Sequence, residues 1–120
     1  MKKLAVILLC SCAIYATSCV QKSSEKTVTF IVDVSKLKDI KSVALRGGEK
    51  PLNWRKDFAM TPLKKDSFYT AKVTFLTGYK FTEVKFVVNG EFELKEKDNR
   101  RVTYSNSDST TYEAVFDVAK

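Results

Sequence analysis

Residues 86–94 read Phe86-Val87-Val88-Asn89-Gly90-Glu91-Phe92-Glu93-Leu94. Asn-Gly offers two successive residues that tolerate positive φ, which a two-residue type I′ turn demands. The stretch therefore predicts a tight β-hairpin. Its first arm begins near Thr82, with Val84, Phe86 and Val88 on one face and Glu83 and Lys85 on the other. That period of two is the mark of a strand with one face buried.

The same alternation recurs on both sides. Val28, Phe30, Val32 and Val34 alternate with Thr29, Ile31 and Asp33, and Tyr69, Ala71, Val73 and Phe75 alternate with Thr70, Lys72 and Thr74. Shorter strands are expected over Lys41–Arg46, ended by Gly47-Gly48, and over Val102–Tyr104. Tyr112, Ala114, Phe116 and Val118 form one face of a closing strand over Thr110–Val118. Residues 49–66 hold both prolines and the single tryptophan, Trp54, and read as a long connection with one short extended piece. No stretch has a helical period. Seven or eight short strands separated by turn signals predict an all-β sandwich.

Composition narrows the chemistry. The 120-residue chain has no histidine, which excludes Ser-His-Asp and Cys-His catalysis and His-ligated metal sites. The reading is therefore non-enzymatic, with no cofactor and no metal. Cys10, Cys12 and Cys19 all precede the strands, so the domain has no internal disulfide and no cysteine metal site. The full chain carries +7, and without Lys2 and Lys3 it carries +5, from 19 basic and 14 acidic residues. The basic residues are spread out rather than gathered on one element, which argues against nucleic-acid binding.

The N-terminus has the three parts of a secretory signal. Lys2 and Lys3 precede the apolar run Leu4–Tyr15, and Ala16-Thr17-Ser18 precede Cys19. Ala16-Thr17-Ser18-Cys19 resembles the lipobox read by the bacterial lipoprotein signal peptidase, and Leu9-Cys10-Ser11-Cys12 is a weaker second candidate. The expected organisation is a signal peptide over 1–19 with Cys19 lipidated as the first mature residue, a polar tether over 20–26, and one β-sandwich over 27–120. The expected location is the bacterial cell envelope, at the outer membrane or cell surface, held to the membrane by the lipid anchor.

The order of motifs adds a resemblance. Arg46-Gly47-Gly48 is followed by Leu52-Asn53-Trp54, Met60-Thr61-Pro62-Leu63, Phe68-Tyr69, Val84-Lys85-Phe86 with Asn89-Gly90, and Asp98-Asn99-Arg100. This series resembles the starch- and glycogen-binding modules: carbohydrate-binding module family 20 and the glycogen-binding domain of AMP-activated kinase. It spans about residues 27–118. The resemblance implies an immunoglobulin-like antiparallel β-sandwich that binds an α-glucan oligosaccharide or polysaccharide weakly. It implies that Trp54 stacks on a sugar ring, Lys85 hydrogen-bonds sugar hydroxyls, Phe92 is the second platform and Asn99 is the turn asparagine. The chain departs from the family in having Phe92 where those modules have Trp, Phe68 or Tyr69 for the strand Trp, and no Pro between Asp98 and Asn99.

Two functional readings follow: a glucan-binding lipoprotein, or a structural or protein-interaction lipoprotein that keeps the sandwich and has lost the sugar site. Glu91, Glu93, Glu96 and Asp98 lie among Lys95, Lys97, Arg100 and Arg101 and read as a salt-balanced exposed loop rather than catalytic carboxylates. Calcium ligation by Asp98, Asn99 and Asp108 is only weakly signalled, because no Asp-x-Asp-x-Asp loop is present. The leader reading has a direct check. Globomycin, which blocks the lipoprotein signal peptidase, should make an uncleaved precursor accumulate; unchanged processing, or a mature chain starting elsewhere than Cys19, would refute it.

Overall fold

A computed structural model describes residues 22–119. The leader and Cys19 lie outside the described residues. Nine strands follow in order: β1 (Ser24–Asp33), β2 (Val43–Gly47), β3 (Phe58–Ala59), β4 (Thr61–Lys64), β5 (Phe68–Thr77), β6 (Phe81–Val88), β7 (Glu91–Phe92), β8 (Arg100–Thr103) and β9 (Ser109–Val115). The described residues contain no helix, and the expected all-β sandwich is the fold. One sheet has the order β4-β5-β1-β9, and the other runs β3-β2-β6 with β7 and β8 both paired to β6.

Alternation places the core. In β5 the even residues Thr70, Lys72, Thr74 and Leu76 point outward, while Ala71, Val73, Phe75 and Thr77 point in and are buried. Val28, Phe30 and Val32 of β1 and Val84, Phe86 and Val88 of β6 meet them from the two sheets. Phe30 and Phe86 join the layers edge to face at 6.4 Å. Among the described residues, every buried apolar side chain lies between Val28 and Tyr104.

Three features differ from the sequence reading. β1 starts at Ser24, inside the stretch read as a tether, because Ser24, Glu25 and Lys26 pair with Thr77, Leu76 and Phe75 of β5. Backbone pairing needs no apolar side chain, so a polar run extends the strand. β1 and β9 run parallel, from Thr27 beside Ser109 to Asp33 beside Val115, and every other pairing is antiparallel. The connection after β2 holds two short strands, β3 and β4, each docked on a longer neighbour.

The hairpin at Asn89-Gly90 forms as expected, with φ of 53° and 80°. Asn89 also does work that the turn motif does not reveal. Its Oδ1 accepts from the Lys41 and Ser42 backbone N–H groups at 2.7 and 3.1 Å, and its Nδ2 donates to the Asp39 carbonyl at 3.0 Å. It fastens the hairpin to the connection between β1 and β2.

The acidic loop requires a correction. Glu93 is 1 % exposed and is no part of a solvated surface. Both its oxygens accept from Arg100, from Nε at 2.7 Å and Nη2 at 2.8 Å. They also accept the Phe86 N–H at 2.8 Å and the Asp117 N–H at 3.0 Å. Arg100 Nη2 donates further to the Val115 and Val118 carbonyls, both at 2.9 Å. Burial alone would lower the Arg100 pKa, but Glu93, with Tyr112 beside it, outweighs this and holds it above the ordinary arginine value, so the cation is fixed at any accessible pH. A buried carboxylate with this many donors is satisfied; stripped of its partner it is a large penalty. Arg100→Leu should therefore cost about 3–5 kcal/mol. Urea unfolding of residues 20–120 measures it, and a loss below about 1 kcal/mol, the worth of one ordinary hydrogen bond, would refute the buried pair.

Candidate functional site

β7 and β8 lie along the same edge of β6 but do not meet. β7 covers Val87 and Val88, and β8 covers Phe81 to Val84. The chain between them, residues 93–99, bulges outward opposite Lys85 and Phe86. Leu94 and Glu96 turn it with φ of 50° and 64°. At Phe86 the missing ladder partner is Glu93 alone: its backbone N–H donates to the Phe86 carbonyl at 3.0 Å while its carboxylate takes the Phe86 N–H. At Lys85 the ammonium holds the bulge, donating to the Leu94 and Lys97 carbonyls, each at 3.0 Å.

Trp54 reaches this bulge from the connection after β2. Leu52 is buried and plugs into the core beside Gly47. A Cβ on Gly47 would lie 2.8 Å from Leu52 and 2.9 Å from the Glu83 carbonyl, so only glycine lets the loop close here. Asn53 Oδ1 accepts the Arg55 N–H at 2.6 Å and turns the chain. Two residues beyond Leu52, the Trp54 side chain therefore faces out, half-buried, with its indole edge over Gly48. The Leu-Asn-Trp motif thus divides its labour into core plug, turn and exposed ring.

The four residues singled out from the sequence come together. Trp54, Lys85, Phe92 and Asn99 line one shallow cavity of about 340 Å³, with Lys95 and Glu96 at its rim. The Trp54 and Phe92 rings lie 6.4 Å apart, tilted by 53°, so they form two walls of a cleft rather than one flat floor. Asn99 Nδ2 donates to Glu83 Oε1 at 3.3 Å, which leaves its carbonyl oxygen to face a ligand. Two of the three Lys85 N–H donors serve the loop carbonyls, so one remains free.

Arg46 is the residue that the sequence reading missed. It stands opposite Lys85 in the β2–β6 pairing. Its Nε donates to Asp57 Oδ1 at 2.8 Å and its Nη1 to the Trp54 carbonyl at 3.1 Å, while its guanidinium lies 5.0 Å from the Phe92 ring centre. One side chain therefore ties both rings to the sheet. Its outward parity in Val43–Gly47 was a signal, but its partners follow only from the strand pairing. The cations around the rings are mostly compensated: Arg46 by Asp57, and Lys95 by Glu91 at 2.6 Å, a bond that pulls the Glu91 pKa down and the Lys95 pKa up.

No protein-family model matches the chain, and no curated protein matches it.

Proposed function

We propose that this chain is a lipid-anchored, non-catalytic envelope protein whose sandwich binds a neutral oligosaccharide of the α-glucan kind through Trp54 and Phe92. The observation that carries the reading is the cleft itself. Two half-buried aromatic rings, a lysine donor and an asparagine carbonyl line one shallow, mainly apolar hollow. A pyranose presents a flat C–H face suited to a ring and a rim of hydroxyls suited to fixed polar groups. Arg46 and Lys95 are paired with carboxylates and the lining sets Glu96 against Lys85, so the cleft carries little net charge, which favours a neutral ligand over an anion. Such a ligand needs no acid, base or metal, in keeping with a sequence that lacks histidine.

One observation favours the alternative, a sandwich that serves protein interaction and has lost sugar binding: most of the Lys85 donor capacity goes to the chain's own carbonyls. Titrating residues 20–120 with maltoheptaose and β-cyclodextrin separates the two, with Trp54, the only tryptophan, as reporter. A cleft this shallow should bind with Kd on the order of 0.1–1 mM, or roughly 4–5.5 kcal/mol. Trp54→Ala should remove about 2 kcal/mol or more of that. Phe92→Trp should tighten binding, and Lys85→Ala should cost near 1 kcal/mol. Unchanged emission at ~10 mM sugar, well above the expected Kd, in a domain shown to be folded would favour the interaction reading.

A further inference from the structure

At one end of the sandwich three large apolar side chains stand in solvent. Leu76 is 71 % exposed, Tyr79 72 % and Phe81 38 %. They occupy the end of β5, the turn after it and the first position of β6. Leu76 points out from one sheet and Phe81 from the other, with Tyr79 at the tip between them. Tyr79 and Phe81 line a shallow, mainly apolar hollow of about 310 Å³ with Gly48, Glu49, Thr82 and Glu83, and Leu76 stands outside it. Exposed apolar clusters mark contact surfaces.

The chain enters the domain at this same end. Ser24, the first residue of β1, pairs with Thr77, two residues before Tyr79. Cys19 lies five residues before Ser24, and a fully extended chain spans at most about 3.6 Å per residue, or about 18 Å in all. A lipid on Cys19 therefore keeps this end within about 18 Å of the bilayer, plus one strand spacing of about 4.8 Å.

We infer that the end carrying Leu76, Tyr79 and Phe81 docks on the lipid bilayer that holds the anchor, with Leu76 and Tyr79 entering the headgroup region. Tyrosine suits that depth, having an apolar ring and a hydroxyl that stays wet. The charges here are paired: Arg101 lies 4.1 Å over the Phe81 ring and 3.9 Å from Glu83, and Lys26 lies 4.0 Å from Asp108. Docking is therefore apolar and insensitive to salt. The Trp54 cleft opens on the outer face of the β2–β6 sheet, and Gly48 separates its indole from the hollow that Tyr79 and Phe81 line. The inference rests on acylation of Cys19 and is independent of sugar binding.

The test uses the chain from Cys19 to Lys120, in which Cys19 is the only cysteine. It is coupled through that thiol to maleimide-bearing lipid in vesicles of phosphatidylethanolamine and phosphatidylglycerol containing nitroxide-labelled lipid. Two single-tryptophan forms are compared: the natural chain, and Tyr79→Trp with Trp54→Phe, each checked for folding by circular dichroism. On coupling, tryptophan at position 79 should shift to the blue and be quenched by the nitroxide at high and low salt, while Trp54 should be quenched markedly less. No shift at position 79, equal quenching of both tryptophans, or quenching abolished by salt would overturn the docking. So would quenching that appears only when membrane proteins are added, which would point to a protein partner. The mass of the natural protein extracted from membranes tests the anchor separately. A chain without acyl groups would refute the anchor reading, and with it the bilayer as the surface this end meets.

Discussion

The structure turns on a gap in a sheet edge and the ion pair that fills it. β6 is the spine of its sheet, yet along one edge its neighbours β7 and β8 stop short of each other. An open edge exposes backbone donors and acceptors that must be paired or hydrated. Glu93 closes the upper half of the gap with its own N–H and carboxylate, and Lys85 holds the bulging chain by its carbonyls. Such an arrangement requires a buried carboxylate, and Arg100, returning at the start of β8, neutralises it. The same guanidinium donates to the Val115 and Val118 carbonyls, at the end of β9 and just beyond it, so one pair joins β6, the bulge, β8 and the segment after β9.

That constraint shapes the candidate site. The bulge that the ion pair pins is the wall carrying Asn99 and Glu96, and Phe92 sits immediately before Glu93. Arg46 supplies the opposite restraint, holding the Trp54 loop and lying over the Phe92 ring. Both platforms are thus fixed by contacts below and beside them, and neither relies on a ligand for its position. Preorganised rings lose little conformational freedom on binding, which is how a small apolar cleft can give measurable affinity.

Much of the sandwich was legible because its faces obey a strict period of two. β1 and β6 announce themselves by Val-x-Phe-x-Val patterns and β5 by Tyr-x-Ala-x-Val-x-Phe, and Asn89-Gly90 fixes the turn whatever its neighbours. β3 and β4 were not separable in the sequence: Phe58-Ala59 is too short to show a period, and all four residues of Thr61–Lys64 are exposed. Trp54, Lys85, Phe92 and Asn99 were read through motif order, and the cavity gathers all four. Glu93 was read as exposed because its sequence neighbours are charged. Its true partners, Phe86, Arg100 and Asp117, are brought to it by the fold across separations of 7, 7 and 24 residues. The dual use of Lys85 was hidden for the same reason, since its acceptors are backbone carbonyls and carry no side-chain signature.

Hydrogen bonds hold the bulge and the segment after β9 together although neither is a strand. Asp117 donates its N–H to Glu93 at 3.0 Å, and Leu94 donates its N–H to Asp117 Oδ1 at 2.6 Å. Asp117 is surface-exposed and three residues from the end of the chain, where fraying and fast exchange are the usual expectation. Amide hydrogen exchange of residues 20–120 followed by NMR therefore tests the central claim most directly. If the buried pair organises the molecule, the Leu94 and Asp117 amides should exchange as slowly as those of Val32 and Val73 in the core strands, opening only with global unfolding. Exchange at both positions within minutes, against a protected core, would mean that the bulge opens on its own and that the ion pair does not hold the site together.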